Sequence, residues 1–248
     1  PPILVFTSSG EFVRSWGEGM FVRPHGFHID FQGNVWTTDD RAHVVYKFSS
    51  QGELLMTLGT AGVRGDGPNE FDQPTDILVA PDGNLFVTNG HGMGADRVMK
   101  LTSDGDFIKA WGSSGSGPGQ FNIPHALALD SQGRLFVGDR NNARVQIFDQ
   151  EGNFIDQWSQ FGRPSGLAIT PDDMLYVADN ESYGPLNPGV KKGIRVGSAK
   201  DGTLHYFIED LEATSLEAAG AEGVGVDAEG NVYGAVVRRM MLEKHERQ

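Results

Sequence analysis

The hydrophobic and polar residues of the chain alternate in short runs, without the period of a helix. Apolar side chains at every second position, bounded by glycine, aspartate and proline, are typical of β-strands joined by tight turns. Runs of this kind occur along the whole chain, for example over residues 44–48 and 145–148. The pattern therefore predicts an all-β protein.

One unit of this pattern repeats. It begins with proline, or in its last copy with alanine, and passes through a polar and a small residue into an alternating strand. A turn with glycine and a second strand follow, and that strand usually ends in aspartate or asparagine. The five copies begin at Pro24, Pro74, Pro124, Pro164 and Ala221.

A second element lies between these copies. It is a glycine followed by a polar residue and an apolar strand, and it often ends in Trp-Gly. Its copies begin at Gly10, Gly52, Gly105, Gly152 and Gly202, and a third strand precedes most of them. Four strands in roughly 40 to 50 residues are the signature of a β-propeller blade. The sequence therefore predicts one β-propeller domain over residues 1–248, built from four-stranded antiparallel blades.

The number of blades depends on the termini. The first outer strand, 12–16, precedes every inner strand, and the last inner strand, 224–226, has no outer strand after it. Pairing of the N- and C-terminal strands would close the ring and remove exposed sheet edges, which favours five blades. Residues 3–6 and 240–242 both resemble third strands, however, and this surplus fits six blades if the chain is truncated at its N-terminus.

Composition and charge narrow the function classes. A formal net charge of -13 argues against nucleic-acid binding, which needs clustered lysine and arginine. The absence of cysteine excludes disulfides and thiolate chemistry. No apolar run is long enough for membrane insertion, and no signal peptide is recognisable. Because a leader can be removed from a mature protein, we expect a secreted or periplasmic location.

The inner strands predict a metal site. The first strand of each propeller blade lines the central channel, so residues at one repeat position converge on the axis. That position holds His25, Thr75, His125, Ser165 and Glu222. Two imidazoles and a carboxylate suit zinc or another divalent ion, with one position open for water or substrate. The alternative is that these polar side chains only hydrate the channel.

Three further residues are candidate catalytic groups. Asp76 adds a carboxylate beside the channel position, and more oxygen ligands would suit calcium. His91 lies in a glycine-rich insertion and is a candidate mobile general base. Arg140 is a candidate cation for a carbonyl or carboxylate of a ligand. Aspartates at the ends of second strands are expected to bond turn N–H groups, namely Asp39, Asp40, Asp139 and Asp179.

Two other patterns limit the mechanism. The glycine-rich insertion is not a phosphate-binding loop, because neither Lys-Ser nor Lys-Thr follows it, and no Gly-x-Ser-x-Gly elbow of a serine hydrolase is present. The polar segment 179–192 predicts a long loop, of the kind that forms a lid or rim.

The repeats resemble the NHL-repeat propellers and, within them, the peptidyl-hydroxyglycine amidating lyases and their bacterial relatives. The resemblance extends over nearly the whole chain. It is carried by Pro24-His25-Gly26, residues 71–76, 118–121 and 124–129, and Asp139-Arg140-Asn141. It implies a zinc ion held by three channel histidines and a deeper calcium ion. His25 and His125 match two of those histidines.

The chain departs from the lyase pattern at four positions. Glu222 stands where the third zinc histidine is expected, and Gly223 stands where an aspartate is implicated in calcium binding. His91 falls near the position of a tyrosine with a catalytic role. The position of a catalytic arginine falls before Pro1. These departures favour a reaction other than that of the lyase.

Three functions follow as hypotheses. The favoured one is a calcium- or zinc-dependent hydrolase of small lactones or esters, acyl-homoserine lactones being one conceivable substrate, in which the metal polarises the carbonyl that water attacks. In it, His25, His125 and Glu222 hold the ion and His91 or Asp76 takes the proton. The second is an amidating-type lyase acting on an α-hydroxyglycine. The third is a non-catalytic module that binds a ligand or protein partner on its channel face.

Overall fold

The computed structural model describes residues 2–92, 94, 96–213, 215 and 220–247. The chain divides into two compact units, Pro1–Ala110 and Trp111–Gln248, which we describe separately. The regular structure of the described residues is β-strand, apart from the short 3-10 turns Arg140–Asn142 and Gly184–Leu186. Within the described ranges, no helix has the length and apolar character needed to cross a membrane.

The first unit holds a hairpin and two four-stranded sheets. In the hairpin, β1 (Ile3–Phe6) pairs antiparallel with β2 (Phe12–Trp16). The strands of the two sheets follow one another in sequence order. They are β3 (Pro24–Ile29), β4 (Val35–Asp39), β5 (Val44–Phe48) and β6 (Leu54–Leu58), then β7 (Pro74–Val79), β8 (Leu85–Asn89), β9 (Arg97–Leu101) and β10 (Phe107–Trp111). The boundary between the units falls inside β10.

The second unit holds two four-stranded sheets and one three-stranded sheet, again in sequence order. The four-stranded sheets are β11 (Pro124–Leu129), β12 (Leu135–Asp139), β13 (Arg144–Phe148) and β14 (Phe154–Trp158), then β15 (Gly166–Ile169), β16 (Met174–Asp179), β17 (Gly193–Ser198) and β18 (Leu204–Glu209). The three-stranded sheet is β19 (Gly223–Val226), β20 (Val232–Val236) and β21 (Met241–His245).

The cores lie between consecutive sheets. In the first unit, Ile77, Leu85 and Met99 of one sheet pack with Trp36 and Val45 of the sheet before it. Second strands such as β4, β8 and β12 are buried at every residue. Each begins with large apolar side chains and ends in a buried aspartate or asparagine. Burial of one such aliphatic side chain stabilises the fold by about 1.5–3 kcal/mol. Stacked blades therefore hold their inner strands at fixed positions.

Aspartates at the ends of second strands join strand to loop. The fully buried Asp39 carboxylate accepts hydrogen bonds from the backbone N–H groups of Val22 at 2.6 Å and Ala42 at 2.8 Å. Asp139 and Asp179 do the same for their own loops. The predicted turn role of these three aspartates is confirmed.

The structure confirms the all-β class and the five antiparallel propeller blades, each opened by one inner strand. Among the described residues four blades have four strands, and the sheet of the fifth repeat has three, β19 to β21. The predicted pairing of the N- and C-terminal strands is wrong. Residues 12–16 pair instead with 3–6, across a turn closed by hydrogen bonds between Thr7 and Gly10 and between Thr7 and Glu11. So short a loop costs little closure entropy. The single-domain organisation of residues 1–248 stays a prediction.

Candidate functional site

The inner strand of the first four-stranded blade positions His25. Its Nδ1 lies 2.7 Å from the carbonyl oxygen of Thr75 on the next inner strand. A carbonyl only accepts hydrogen bonds, so Nδ1 carries the proton and the neutral ring presents an unprotonated Nε2. The two strands meet closely at Gly26, where a Cβ atom would lie 2.7 Å from that same carbonyl oxygen. Glycine at this position therefore brings His25 within reach of its acceptor.

A buried carboxylate holds His91. Asp40 is fully buried, and its carboxylate lies 2.7 Å from Nδ1 of His91. The same carboxylate binds the Arg23 guanidinium through Nε, at 2.6 Å, and through Nη2. Nη2 of Arg23 also lies 3.0 Å from this Nδ1. The shorter contact, to the Asp40 carboxylate, assigns the proton to Nδ1, and in that tautomer Nε2 of a neutral His91 is unprotonated. The pair has the arrangement of a carboxylate-oriented general base.

His25 and His91 lie against each other within the first unit. Their rings meet edge to face, with centroids 4.6 Å apart and an angle of 87° between the planes. Each offers a ring nitrogen within 4.8 Å of the other's, which is within reach of one metal ion. The structure thus brings together one predicted metal ligand and the predicted base.

In the second unit, His125 repeats the arrangement of His25. The residue is buried on β11, and its Nδ1 lies 2.6 Å from the carbonyl oxygen of Ser165, at the same repeat position as Thr75. Nδ1 therefore carries the proton here too. Arg140 donates from Nη1 to the His125 Nε2 at 2.9 Å.

Glu222 lies beside these two groups. Its Oε1 is 3.6 Å from His125 Nε2 and 3.9 Å from Arg140 Nη1, and its side chain is 25% exposed. The backbone N–H of Glu222 donates to the Ala235 carbonyl at 2.9 Å, which fixes the residue ahead of β19. The second unit thus brings together His125, Arg140 and Glu222, all three of which the sequence singled out.

Asp76 is held locally. One of its carboxylate oxygens accepts a hydrogen bond from the N–H of Ile77 at 2.9 Å. The close approach at Gly26 places the Asp76 backbone against the neighbouring inner strand, because a Cβ on Gly26 would lie 2.7 Å from the Asp76 Cα. Its catalytic role stays a prediction.

The turn role expected for Asp40 is wrong, since its carboxylate binds the side chains of Arg23 and His91. The sequence carried a signal that was missed. The residue after each strand-ending Asp or Asn is Asp40, Gly90, Arg140 and Asn180 in successive repeats. A repeat position whose charge differs between copies, while the residue before it stays Asp or Asn, is a candidate functional position. Asp40, which follows Asp39, is one such residue.

The histidines fit a metal ion by their protonation. Histidines that bind metals through one ring nitrogen usually donate the other N–H to a carbonyl or carboxylate, and His25 and His125 both do so. Imidazole nitrogen suits zinc better than calcium, which takes oxygen ligands. The Arg140 guanidinium lies at the His125 Nε2, so a metal bound there requires Arg140 to shift.

Comparison with known proteins agrees with the repeat pattern. Residues 121–148 match the family model described as the NHL repeat. Human NHL repeat-containing protein 3 is 38% identical over 190 residues, which are 71% of this chain and 54% of that protein. Peptidyl-alpha-hydroxyglycine alpha-amidating lyase 1 of Drosophila melanogaster is 35% identical over 263 aligned positions, covering 96% of this chain and 47% of that one. The chain therefore spans about half the length of these relatives.

A solved structure shares the fold at much lower identity. A gluconolactonase from Xanthomonas campestris aligns with a TM-score of 0.59 and 16% identity, over 85% of this chain and 68% of its own. Similarity at this level reflects the propeller fold alone.

Proposed function

Since this chain is an NHL-repeat β-propeller that is similar to amidating lyases, we propose that it is an amidating-type lyase, which cleaves the C–N bond of an N-substituted α-hydroxyglycine. The observation that supports this most is that His25 and His125 have the same tautomer. Each donates its Nδ1–H to a backbone carbonyl of the next blade. The relatives that share more than a third of their aligned residues with this chain include lyases, so the lyase now ranks above the lactone hydrolase that the sequence favoured.

The reaction needs a base at the substrate hydroxyl. Removal of that proton forms a carbonyl, the C–N bond breaks, and the departing amide nitrogen takes a proton, so the products are an amide and glyoxylate. His91 is the proposed base, because the buried Asp40 holds its Nδ1–H and stabilises the imidazolium that forms. Such a base contributes typically about 10²–10⁴-fold to a rate.

Arg140 is the proposed binding group for the substrate carboxylate. It is 7% exposed and has five N–H donors in a fixed fork, which matches the two oxygens of a carboxylate. Its contact with the His125 Nε2 keeps the guanidinium next to a candidate metal ligand in the second unit. Loss of this group should raise KM for anionic substrates.

A divalent ion, zinc in preference to calcium, is the proposed cofactor. In the second unit, His125 and Glu222 are the residues that would hold it, and in the first unit His25 is held in the same tautomer as His125. When bound, such an ion acts as a Lewis acid that polarises an oxygen of the substrate. The protein's own contribution is the fixed tautomer of both imidazoles, in which Nδ1 carries the proton and Nε2 is the nitrogen available to a metal.

A lactone or ester hydrolase is the second candidate. The observation that favours it is the His91–Asp40 pair, which stands near the position where the resemblance implies a tyrosine. A carboxylate-oriented imidazole is a common activator of water. Binding of a protein or ligand without catalysis is the third candidate, and the experiment below distinguishes all three.

The test uses the purified chain, its metal content and two substrates. N-benzoyl-α-hydroxyglycine should yield benzamide and glyoxylate, and a chelator should stop the reaction until zinc is restored. His125→Gln should lower both metal content and turnover, whereas His205→Gln, at an exposed residue of β18, should change neither. Opening of a γ-lactone without cleavage of the α-hydroxyglycine would support the hydrolase. If the purified protein contains no metal and is inactive on both substrates, the result would support the third candidate, binding without catalysis.

A further inference from the structure

Two buried arginines of the second unit converge on one carboxylate. Nη2 of Arg163 lies 2.9 Å from Oε2 of Glu181, and Nε of Arg140 lies 3.6 Å from the same oxygen. Arg163 is 4% exposed and Arg140 is 7% exposed. Arg140 also lies 3.9 Å from Oε1 of Glu222, whereas Glu181 is the carboxylate that both guanidinium groups contact.

Arg163 is fixed by its surroundings. Its backbone N–H donates to the carboxylate of Asp179 at 3.0 Å, and Nη2 also donates to Oδ1 of Asn141 at 2.6 Å. Its Nε is buried, and none of the described residues offers it a hydrogen-bond acceptor. A buried donor without a partner costs roughly 1–3 kcal/mol. Arg163 therefore has binding capacity that the protein itself does not use.

Glu181 is held less firmly than the two arginines. It lies at the start of the segment between β16 and β17, which contains only the short 3-10 turn Gly184–Leu186 as regular structure. Its side chain is 35% exposed, against 5% and 9% for those of Arg163 and Arg140. A change of side-chain rotamer moves this carboxylate without moving a strand.

We propose that Arg163 and Arg140 form a binding site for the carboxylate of a ligand, and that the Glu181 carboxylate occupies this site until the ligand displaces it. Arg163 would then receive a second acceptor for its Nε, and the pairing would become bidentate. A ligand with a neutral amide in place of the carboxylate would not displace Glu181. The site thus selects anionic ligands, and Arg163 and Glu181 set that selectivity.

This inference rests on the proposed function only in that an α-hydroxyglycine carries a carboxylate, so binding is measured without turnover. N-benzoylglycine lacks the hydroxyl group and cannot be cleaved, and N-benzoylglycinamide is its neutral counterpart. We expect Glu181→Gln to bind N-benzoylglycine about tenfold more tightly than the unaltered protein, because one charge-assisted competitor is removed. Arg163→Met should bind it at least about tenfold more weakly. Affinity for the amide should stay the same in both variants.

Matched controls change the same charges elsewhere. Glu209→Gln removes a carboxylate that pairs with Lys191, and Lys200→Met removes an exposed cation near Asp173. Neither should alter calorimetric binding of N-benzoylglycine. Unchanged or weaker binding by Glu181→Gln would overturn the proposal, and this variant decides the matter if Arg163→Met does not fold. Correct binding without cleavage of the hydroxylated compound would refute the lyase and leave the carboxylate site standing.

Discussion

The half-buried histidine His28 makes the stability of the chain depend on pH. It lies on β3 opposite Trp36, and burial lowers the pKa of its imidazole from 6.5 to about 4, against a smaller raising effect of the Asp30 carboxylate. Between pH 6.5 and about 4, His28 is therefore protonated in the unfolded chain and neutral in the folded chain. Stability is fully present above pH 6.5 and falls as the pH is lowered towards 4.

The magnitude follows from the two pKa values. At pH 4.5 nearly every unfolded chain carries the proton and most folded chains do not, which costs about 2 to 2.5 kcal/mol of unfolding free energy relative to pH 7. Burial tends to raise the pKa of the Asp30 carboxyl, but hydrogen bonds from Trp36 and Asn34 outweigh it and lower that pKa. Protonation of Asp30 therefore adds to the loss of stability as the pH falls, in the same direction as His28. His43 acts in the same direction as His28, because burial also lowers its pKa.

The assay is urea unfolding at pH 7.0, 6.0, 5.0 and 4.5, with a chelator present so that metal binding adds nothing. His28→Leu should remove about 2 kcal/mol of the loss between the first and last pH. His205→Leu, at an exposed histidine of β18, should keep the whole loss. If His28→Leu and the unaltered chain lose the same free energy, the desolvation of His28 is not the cause.

Two further predictions concern backbone contacts. Gly26→Ala should destabilise the chain by more than about 3 kcal/mol, because the new Cβ meets the Thr75 carbonyl and the Asp76 Cα at 2.7 Å. Gly225→Ala, where a Cβ has open space, is its control in chemical unfolding, and equal losses would contradict the reasoning. Asp179→Ala should lower the free energy of unfolding by about 3 kcal/mol or more, because it removes the carboxylate that pairs with the buried Arg195. The metal content per folded molecule should stay unchanged. A drop in that content would show that Asp179 supports the metal site.

The repeat made most of the strands predictable from sequence. The third strands expected at 44–48 and 145–148 occur as Val44–Phe48 and Arg144–Phe148, because turn residues and strict alternation mark the same boundaries in every copy. Terminal pairing was not predictable in this way. A strand of alternating apolar and polar residues can pair with the edge of any neighbouring strand. The tight turn between β1 and β2 places β1 next to β2, and the two strands pair.

The site was predictable in its residue types and less so in its partners. Repeat register alone identified His125, Arg140 and Glu222, which the second unit brings together. Register could not reveal that Asp40 reaches His91, since these residues lie 51 positions apart and belong to different blades. It also could not reveal Arg163, whose partners Glu181 and Asn141 come from loops.

The acceptors of the two histidine N–H groups have a consequence for how such proteins diversify. They are main-chain oxygens of Thr75 and Ser165, so they persist whatever side chains those residues carry. A lineage can therefore gain or lose a metal-binding imidazole through one codon change, without evolving a new residue to orient it. Chemistry can thus change from one descendant to the next while the scaffold stays constant, and a broad family of ligands becomes accessible by small mutational steps.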